Sequence, residues 1–166
     1  MQEQRMPGPQ QIIIRPLTNA DRESISGWRY EGDLAIYDPG EGALQLRGPD
    51  HVALADSDGY LIGYGTLGVQ AQVPGGTYEG GGAVVDLGLG LRPDLVGCGH
   101  GPTAVRALMD DTQRRLSPER FRVTVAAPNK RATALVVGLG FHQSYAFTRA
   151  SDGREFAQYE RRAARA

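Results

Sequence analysis

The sequence predicts a single mixed α/β domain with helices on the faces of one sheet. Three observations carry this. The chain has 166 residues, the size of one domain and too short for two full ones. In its second half, helical and strand patterns alternate, which places helices against a mixed sheet. Glycine, 23 residues of 166, is about twice its usual ~7% share, and part of the excess sits in one loop between a strand and a helix.

The elements read in order as follows. Residues 1–11 are polar with Pro and Gly and are expected to be disordered. Ile12-Ile13-Ile14, ended by Arg15-Pro16, reads as the first strand. Thr18 or Asn19 can cap a helix over 19–27, with Asp21 and Glu23 favourable in its first turn. Residues 28–46 read as irregular, with turn signals at Asp38-Pro39-Gly40 and Glu41-Gly42. His51–Ala55 and Tyr60–Gly68 form a hairpin around Asp56-Ser57-Asp58-Gly59. Residues 74–82 read as a flexible glycine-rich loop, and Ala83–Leu91 as an apolar strand stopped by Pro93. Pro102 after glycines marks the first position of a helix. Val105, Leu108, Met109, Thr112 and Leu116 give that helix its apolar stripe. Phe121–Ala127 is the next strand, 129–139 a second helix closed by Gly140, and 141–149 and 155–161 an antiparallel pair around Asp152-Gly153. Residues 12–161 are therefore expected to form the domain and 162–166 a frayed tail.

Composition removes several function classes. The net charge is −1, which argues against a nucleic-acid binder that relies on excess positive charge. A lone cysteine, Cys98, excludes an intrachain disulfide and a zinc site built from cysteines. His51, His100 and His142 are too scattered for a metal motif, so no metal is expected. No apolar run approaches the ~20 residues of a membrane span, and the N-terminus lacks a signal-peptide core. The expected compartment is the cytoplasm.

The informative segment is Val96-Gly97-Cys98-Gly99-His100-Gly101 before Pro102. A glycine loop opening a helix binds anions, because unpaired backbone N–H groups and the helix dipole point at the ligand. A Walker A loop would end in Gly-Lys-Ser/Thr, and this one ends Gly101-Pro102-Thr103. Gly99-x-Gly101-x-x-Ala104 is a weak dinucleotide-binding match, placed mid-chain rather than in a first βαβ unit.

A third pattern fits better. Leu89-Gly90-Leu91-Arg92-Pro93 running into Gly97–Gly101 resembles the central motif of the GNAT superfamily of acyl-CoA N-acyltransferases. Asn129-Lys130-Arg131-Ala132-Thr133-Ala134-Leu135, followed by Gly140-Phe141, resembles a second motif of that family, and Ile13–Asp21 its first-strand opening. The resemblance spans about 12–148 and, within the family, points to the branch like the ribosomal-protein-alanine N-acetyltransferases.

The resemblance implies a mixed, mostly antiparallel twisted sheet that splays between two parallel strands, about 83–91 and 121–126. It implies acetyl-CoA as co-substrate, its pantetheine arm paired with Leu89, Gly90 and Leu91. Its pyrophosphate would lie on Val96, Gly97, Cys98, Gly99, His100 and Gly101, with Asn129 near the thioester end. Val96 stands where Gln or Arg is usual, and Val136 where many members carry the tyrosine that protonates the departing thiolate.

Asp86 is the expected base. It lies seven residues before Pro93, where related enzymes carry a glutamate, and it is the only ionisable residue of Ala83–Leu91. Apolar burial should raise its pKa. Tyr145, on the strand after the second helix, is the candidate replacement acid. Trp28, Tyr30 and Tyr37, mixed with Glu31, Asp33, Asp38 and Glu41, are expected to form the acceptor cleft for a small-molecule or peptide amine. Direct attack is expected, since no activated nucleophile is visible. A homodimer is compatible with this picture. The rival is a non-catalytic acyl-CoA binding or sensing module, and a nucleotide-binding oxidoreductase rests on the loop alone.

Overall fold

The structure is a computed structural model that describes residues 11–164. Of the start expected to be disordered, 1–11, residues 1–10 lie outside the described residues, as do Arg165 and Ala166 at the end of the expected tail. Seven strands form one sheet in the order β1-β2-β3-β4-β5-β7-β6. They are β1 (Ile13–Pro16), β2 (His51–Ala55), β3 (Leu61–Leu67), β4 (Val84–Leu91), β5 (Arg120–Ala126), β6 (His142–Thr148) and β7 (Glu155–Arg162). Only β4 and β5 pair in parallel; the other five pairings are antiparallel. β7 extends through Arg162, opposite Arg120, and the Ala163 N–H donates to the Glu119 carbonyl, so the start of the expected tail is tied to the sheet.

The helices are α1 (Asn19–Ser26), α2 (His100–Leu116) and α3 (Lys130–Gly138). Thr18 and Asp21 form a reciprocal capping box on α1. Asn129 caps α3 through its side chain, accepting from the Ala132 N–H at 3.1 Å. α2 begins two residues before Pro102, so proline is its third residue rather than its first. The shift costs nothing, because no N–H in the first turn has an intrahelical acceptor. The segment expected to be irregular contains two 3-10 turns, Gly32–Tyr37 and Gly40–Gln45.

Neighbouring residues of a strand face opposite sides, and each side has its own core. Val85 and Leu87 of β4 pack with Phe121 and Val125 of β5, Val105, Leu108 and Met109 of α2, and Val136 of α3. On the other side Ile25 of α1, Trp28 and Ala43 pack against Leu61 and Tyr64 of β3. Helices α2 and α3 and the 28–45 segment thus cover opposite faces of the sheet.

Candidate active site

β4 and β5 are paired only from Val84↔Arg120 to Leu87↔Val123. Beyond that rung β4 continues against β3 as far as Leu91, and β5 continues against β7 as far as Ala126. The two strands part between them. Which backbone groups face the gap follows from the antiparallel ladders, in which bonded pairs alternate. The Arg92 N–H donates to the Ile62 carbonyl at 2.8 Å, so Gly90 also bonds towards β3, while Leu89 and Leu91 turn their N–H and C=O to the gap. Leu89 and Leu91 therefore have the orientation expected of pantetheine partners. Gly90 does not: its backbone is spent on β3. By the same alternation the Ala127 N–H donates to Glu155, so Ala126 directs its N–H into the gap.

Two tyrosines of the 28–45 segment reach the two lips of this opening. The Tyr30 hydroxyl donates to the Leu91 carbonyl at 2.5 Å, and the Ala126 N–H donates to the Tyr37 hydroxyl at 3.2 Å. Burial pushes the Tyr30 pKa up, so its hydroxyl stays a donor. Asp38 accepts from the Tyr30 N–H at 2.7 Å and holds the segment's bend. Gly32, Asp33, Tyr37, Ala126, Asn129 and Arg154 line a cavity of about 330 Å³ beside the β5 lip. Trp28 differs from the expectation. It is 6% exposed and packs on Tyr64 with ring centroids 5.9 Å apart, so it anchors the segment from the core.

At the far end of β4, Pro93–Leu95 makes one 3-10 turn and the chain enters α2 through Gly97 and Gly99. Both have φ near +80°, at 79° and 85°, a conformation that side chains with a Cβ rarely adopt. The Cys98 N–H is taken by Leu95 O and the Val96 N–H by Pro93 O. The amides of Gly97, Gly99, His100 and Gly101 pair with no carbonyl among the described residues. They lie at the positive end of a 17-residue helix, the arrangement that suits a phosphate. The Cys98 thiol is exposed and turns to the Asp94 and Val96 carbonyls.

Asn129 stands at the β5 end of the opening, but its Oδ1 is engaged in capping α3. That leaves its NH₂ as the group able to meet a ligand. Val136 is 3% exposed and belongs to the apolar core. Arg131, which sequence reasoning did not single out, places its guanidinium 3.1–3.2 Å from where a Cβ on Gly97 would lie. It brings a positive charge to the loop where Val96 supplies none. Its position as the second residue of α3 gave no sequence signal, because the neighbourhood arises from tertiary folding.

Asp86 is 2% exposed, as its setting in the strand suggested, but it is not alone. Arg122 of β5 forks onto it at 2.7 and 2.9 Å, and Gln72 Nε2 donates at 3.0 Å. The expectation of an isolated carboxylate among apolar neighbours is therefore corrected. Arg122 also donates to the Glu79 carbonyl and lies over the Tyr78 ring. Tyr78 in turn accepts from the Val73 N–H and bonds Thr124 at 2.9 Å. Tyr145 is on β6, two strands from β5, stacked with Phe147 and 41% exposed. The structure does not bring it to the gap.

Among the described residues no cluster of His, Cys, Asp or Glu could hold a metal, and no helix is long and apolar enough to cross a membrane. Comparison with solved structures finds the same architecture. A GNAT-family acetyltransferase from Bacillus anthracis superposes with a TM-score of 0.72 at 12% identity, covering 92% of this chain and 95% of that one. A spermidine N-acetyltransferase chimera from Vibrio cholerae and hSSAT gives 0.70 at 16% identity, with 92% and 96% covered. The Vibrio cholerae spermidine/spermine N-acetyltransferase gives 0.65 at 16% identity, with 92% and 93% covered. No curated protein matches the sequence. Residues 16–141, which hold the parted strands, the glycine loop and the Asn129 segment together, match the Acetyltransferase (GNAT) family, and the chain belongs to that family.

Proposed function

We propose that this chain transfers an acetyl group from acetyl-CoA to a primary amine of a small molecule or peptide by direct attack. The observation that carries the reading is the continuity between the parted β4–β5 edge and the glycine loop. Leu89 offers an N–H and a C=O to the gap, and four unpaired amides follow at the start of α2. A pantetheine arm laid along Leu89 and Leu91 would reach the loop with its pyrophosphate, where Arg131 adds charge. The Leu89 N–H is suited to polarise the thioester carbonyl. Cys98 sits in the phosphate loop rather than at the parting, which supports attack by the amine without an acyl-enzyme.

The acceptor would enter by the 330 Å³ cavity, whose charged side chains are Asp33 and Arg154. Asp33 suits an ammonium; Arg154 suits a carboxylate on the same molecule. That pairing fits an amino-acid or peptide amine, as in the ribosomal-protein-alanine branch, better than a polyamine. We place the reaction in the cytoplasm.

The test is a thiol-release assay with acetyl-CoA and a panel containing spermidine, amino-acid amides and an alanyl peptide. Release with any amine, with the acetyl group recovered on nitrogen, supports the reading. A second reading, a non-catalytic acyl-CoA module, is favoured by the buried Val136. It requires acetyl-CoA binding with no thiol release from any amine.

A further inference from the structure

We propose that the Tyr37 hydroxyl protonates the departing thiolate. This rests on the acetyl-transfer reading and adds the group that reading lacks, since position 136 is a buried valine.

The argument starts from the direction of one amide. Ala126 turns its N–H away from β7 and into the gap, and Tyr37 receives it at 3.2 Å. The phenol oxygen therefore sits at the β5 lip of the opening. Because that oxygen accepts, its own proton is left for another partner, and among the described residues it has none. The same amide stabilises the phenolate that remains after proton donation. Tyr37 is 38% exposed and lines the cavity with Ala126 and Asn129, so water can restore its proton.

The other tyrosines near the opening are committed. Tyr30 donates to the Leu91 carbonyl, Tyr78 lies between Val73 and Thr124, and Tyr64 is packed on Trp28 over Gly90. Tyr145 is two strands away. In the step itself the amine lone pair forms the C–N bond and the C–S bond breaks with its electron pair on sulfur. The Tyr37 proton passes to that sulfur. The proton lost by nitrogen returns to the phenolate through cavity water, and nothing is oxidised or reduced.

The experiment needs no acceptor. CoA binding is measured by calorimetry for the Tyr37 protein, for Tyr37→Phe, and for 3-fluorotyrosine placed at position 37. The thiol of bound CoA is then titrated by thiolate absorbance, with Cys98→Ser in every arm so that CoA carries the only thiol. A hydrogen bond to the thiolate favours the charged form. The bound thiol should titrate about one pH unit lower with Tyr37 than with Phe, and lower still with fluorotyrosine, at similar CoA affinity. Identical titration in the three complexes overturns the proposal. So does loss of CoA binding by Tyr37→Phe that fluorotyrosine does not share while the thiol pKa of its complex equals that of free CoA, because the residue is then only a strap. Failure of the Tyr37 protein itself to bind CoA is a different result: it removes the acetyl-transfer reading, and this proposal with it.

Discussion

Asp86 and Arg122 face each other on the last rung but one before β4 and β5 part. Both oxygens of the carboxylate accept from the guanidinium, at 2.7 and 2.9 Å, and neither residue is more than 4% exposed. Asp86 holds Arg122 firmly charged. The pair closes the sheet immediately below the opening and, through Gln72 and the Glu79 carbonyl, ties down the segment that covers this face. A carboxylate forked in this way and bonded to Gln72 has three of its roughly four acceptor sites taken, which leaves it poorly placed to take a proton from an amine. The geometry favours a positioning role.

Asp86→Asn should therefore cost stability before it costs chemistry. Removing one partner of a buried pair leaves the other charge uncompensated, at about 3–5 kcal/mol. Urea denaturation measures this, and Asp86→Leu combined with Arg122→Met should recover much of the loss. If Asp86→Asn instead keeps its stability but loses turnover most strongly at low pH, the carboxylate acts as the base.

Gly99 tests the loop. On the proposed reading acetyl-CoA binds the native state alone, so at 100 times its Kd it should add about 2.7 kcal/mol and raise the Tm. Gly99→Glu puts a negative charge against the pyrophosphate and should abolish that shift. Gly99→Asn tolerates the left-handed backbone and separates charge from strain: it should lower the Tm but keep the acetyl-CoA response. An undiminished shift in Gly99→Glu removes the loop from the binding site.

The boundaries of strands and helices were legible because they depend on local chemistry. Thr18 and Asp21 cap, Gly97 and Gly99 reverse the chain, and Val105, Leu108 and Met109 form one helix face. Pro102 was misplaced by two positions because every residue of a first turn is free to lack an N–H. Asp86 was found as the one charge in an apolar strand, but its partner was not. Arg122 lies 36 residues away and meets it only through parallel pairing. The same limit hid Arg131 over Gly97 and the separate duties of Trp28, Tyr30 and Tyr37. Their aromatic character was visible; which faced the core and which faced the gap depended on the 3-10 turns between them.

Acid should expose the anchor at the other end of the segment. Burial alone would raise the Asp21 pKa, but the fork from Arg15 and the bonds with Thr18 outweigh it and hold it below the ordinary 3.8. A lowered folded-state pKa gives stability that is complete above the unfolded value and fades as pH falls through the folded one. Asp21→Asn should lose about 1–2 kcal/mol at neutral pH, the scale of a lost helix cap. The gap between the two proteins should close as the pH drops below about 4. A constant difference across this range, measured by urea denaturation, would show that the charge of Asp21 contributes nothing.

Gly90 should be irreplaceable for a reason of packing rather than backbone angle. A Cβ there would collide with the Tyr64 ring at Cε1 and would lie 2.8 Å from Cζ. Tyr64 cannot retreat freely, because the tilted Trp28 ring packs against it and is part of the core on that face. Gly90→Ala should cost about 1–3 kcal/mol, the usual scale of overpacking. The displaced ring should also loosen the tie between Tyr30 and Leu91, so the acceptor KM should rise more than acetyl-CoA affinity falls. Tyr64→Leu in the same chain opens the space and should restore part of both losses. Residues in contact are expected to be non-additive, with a coupling of about 0.5–3 kcal/mol. Strictly additive effects of Gly90→Ala and Tyr64→Leu would mean that the clash is relieved elsewhere, and that Tyr64 does not transmit the shape of β4 to the acceptor side.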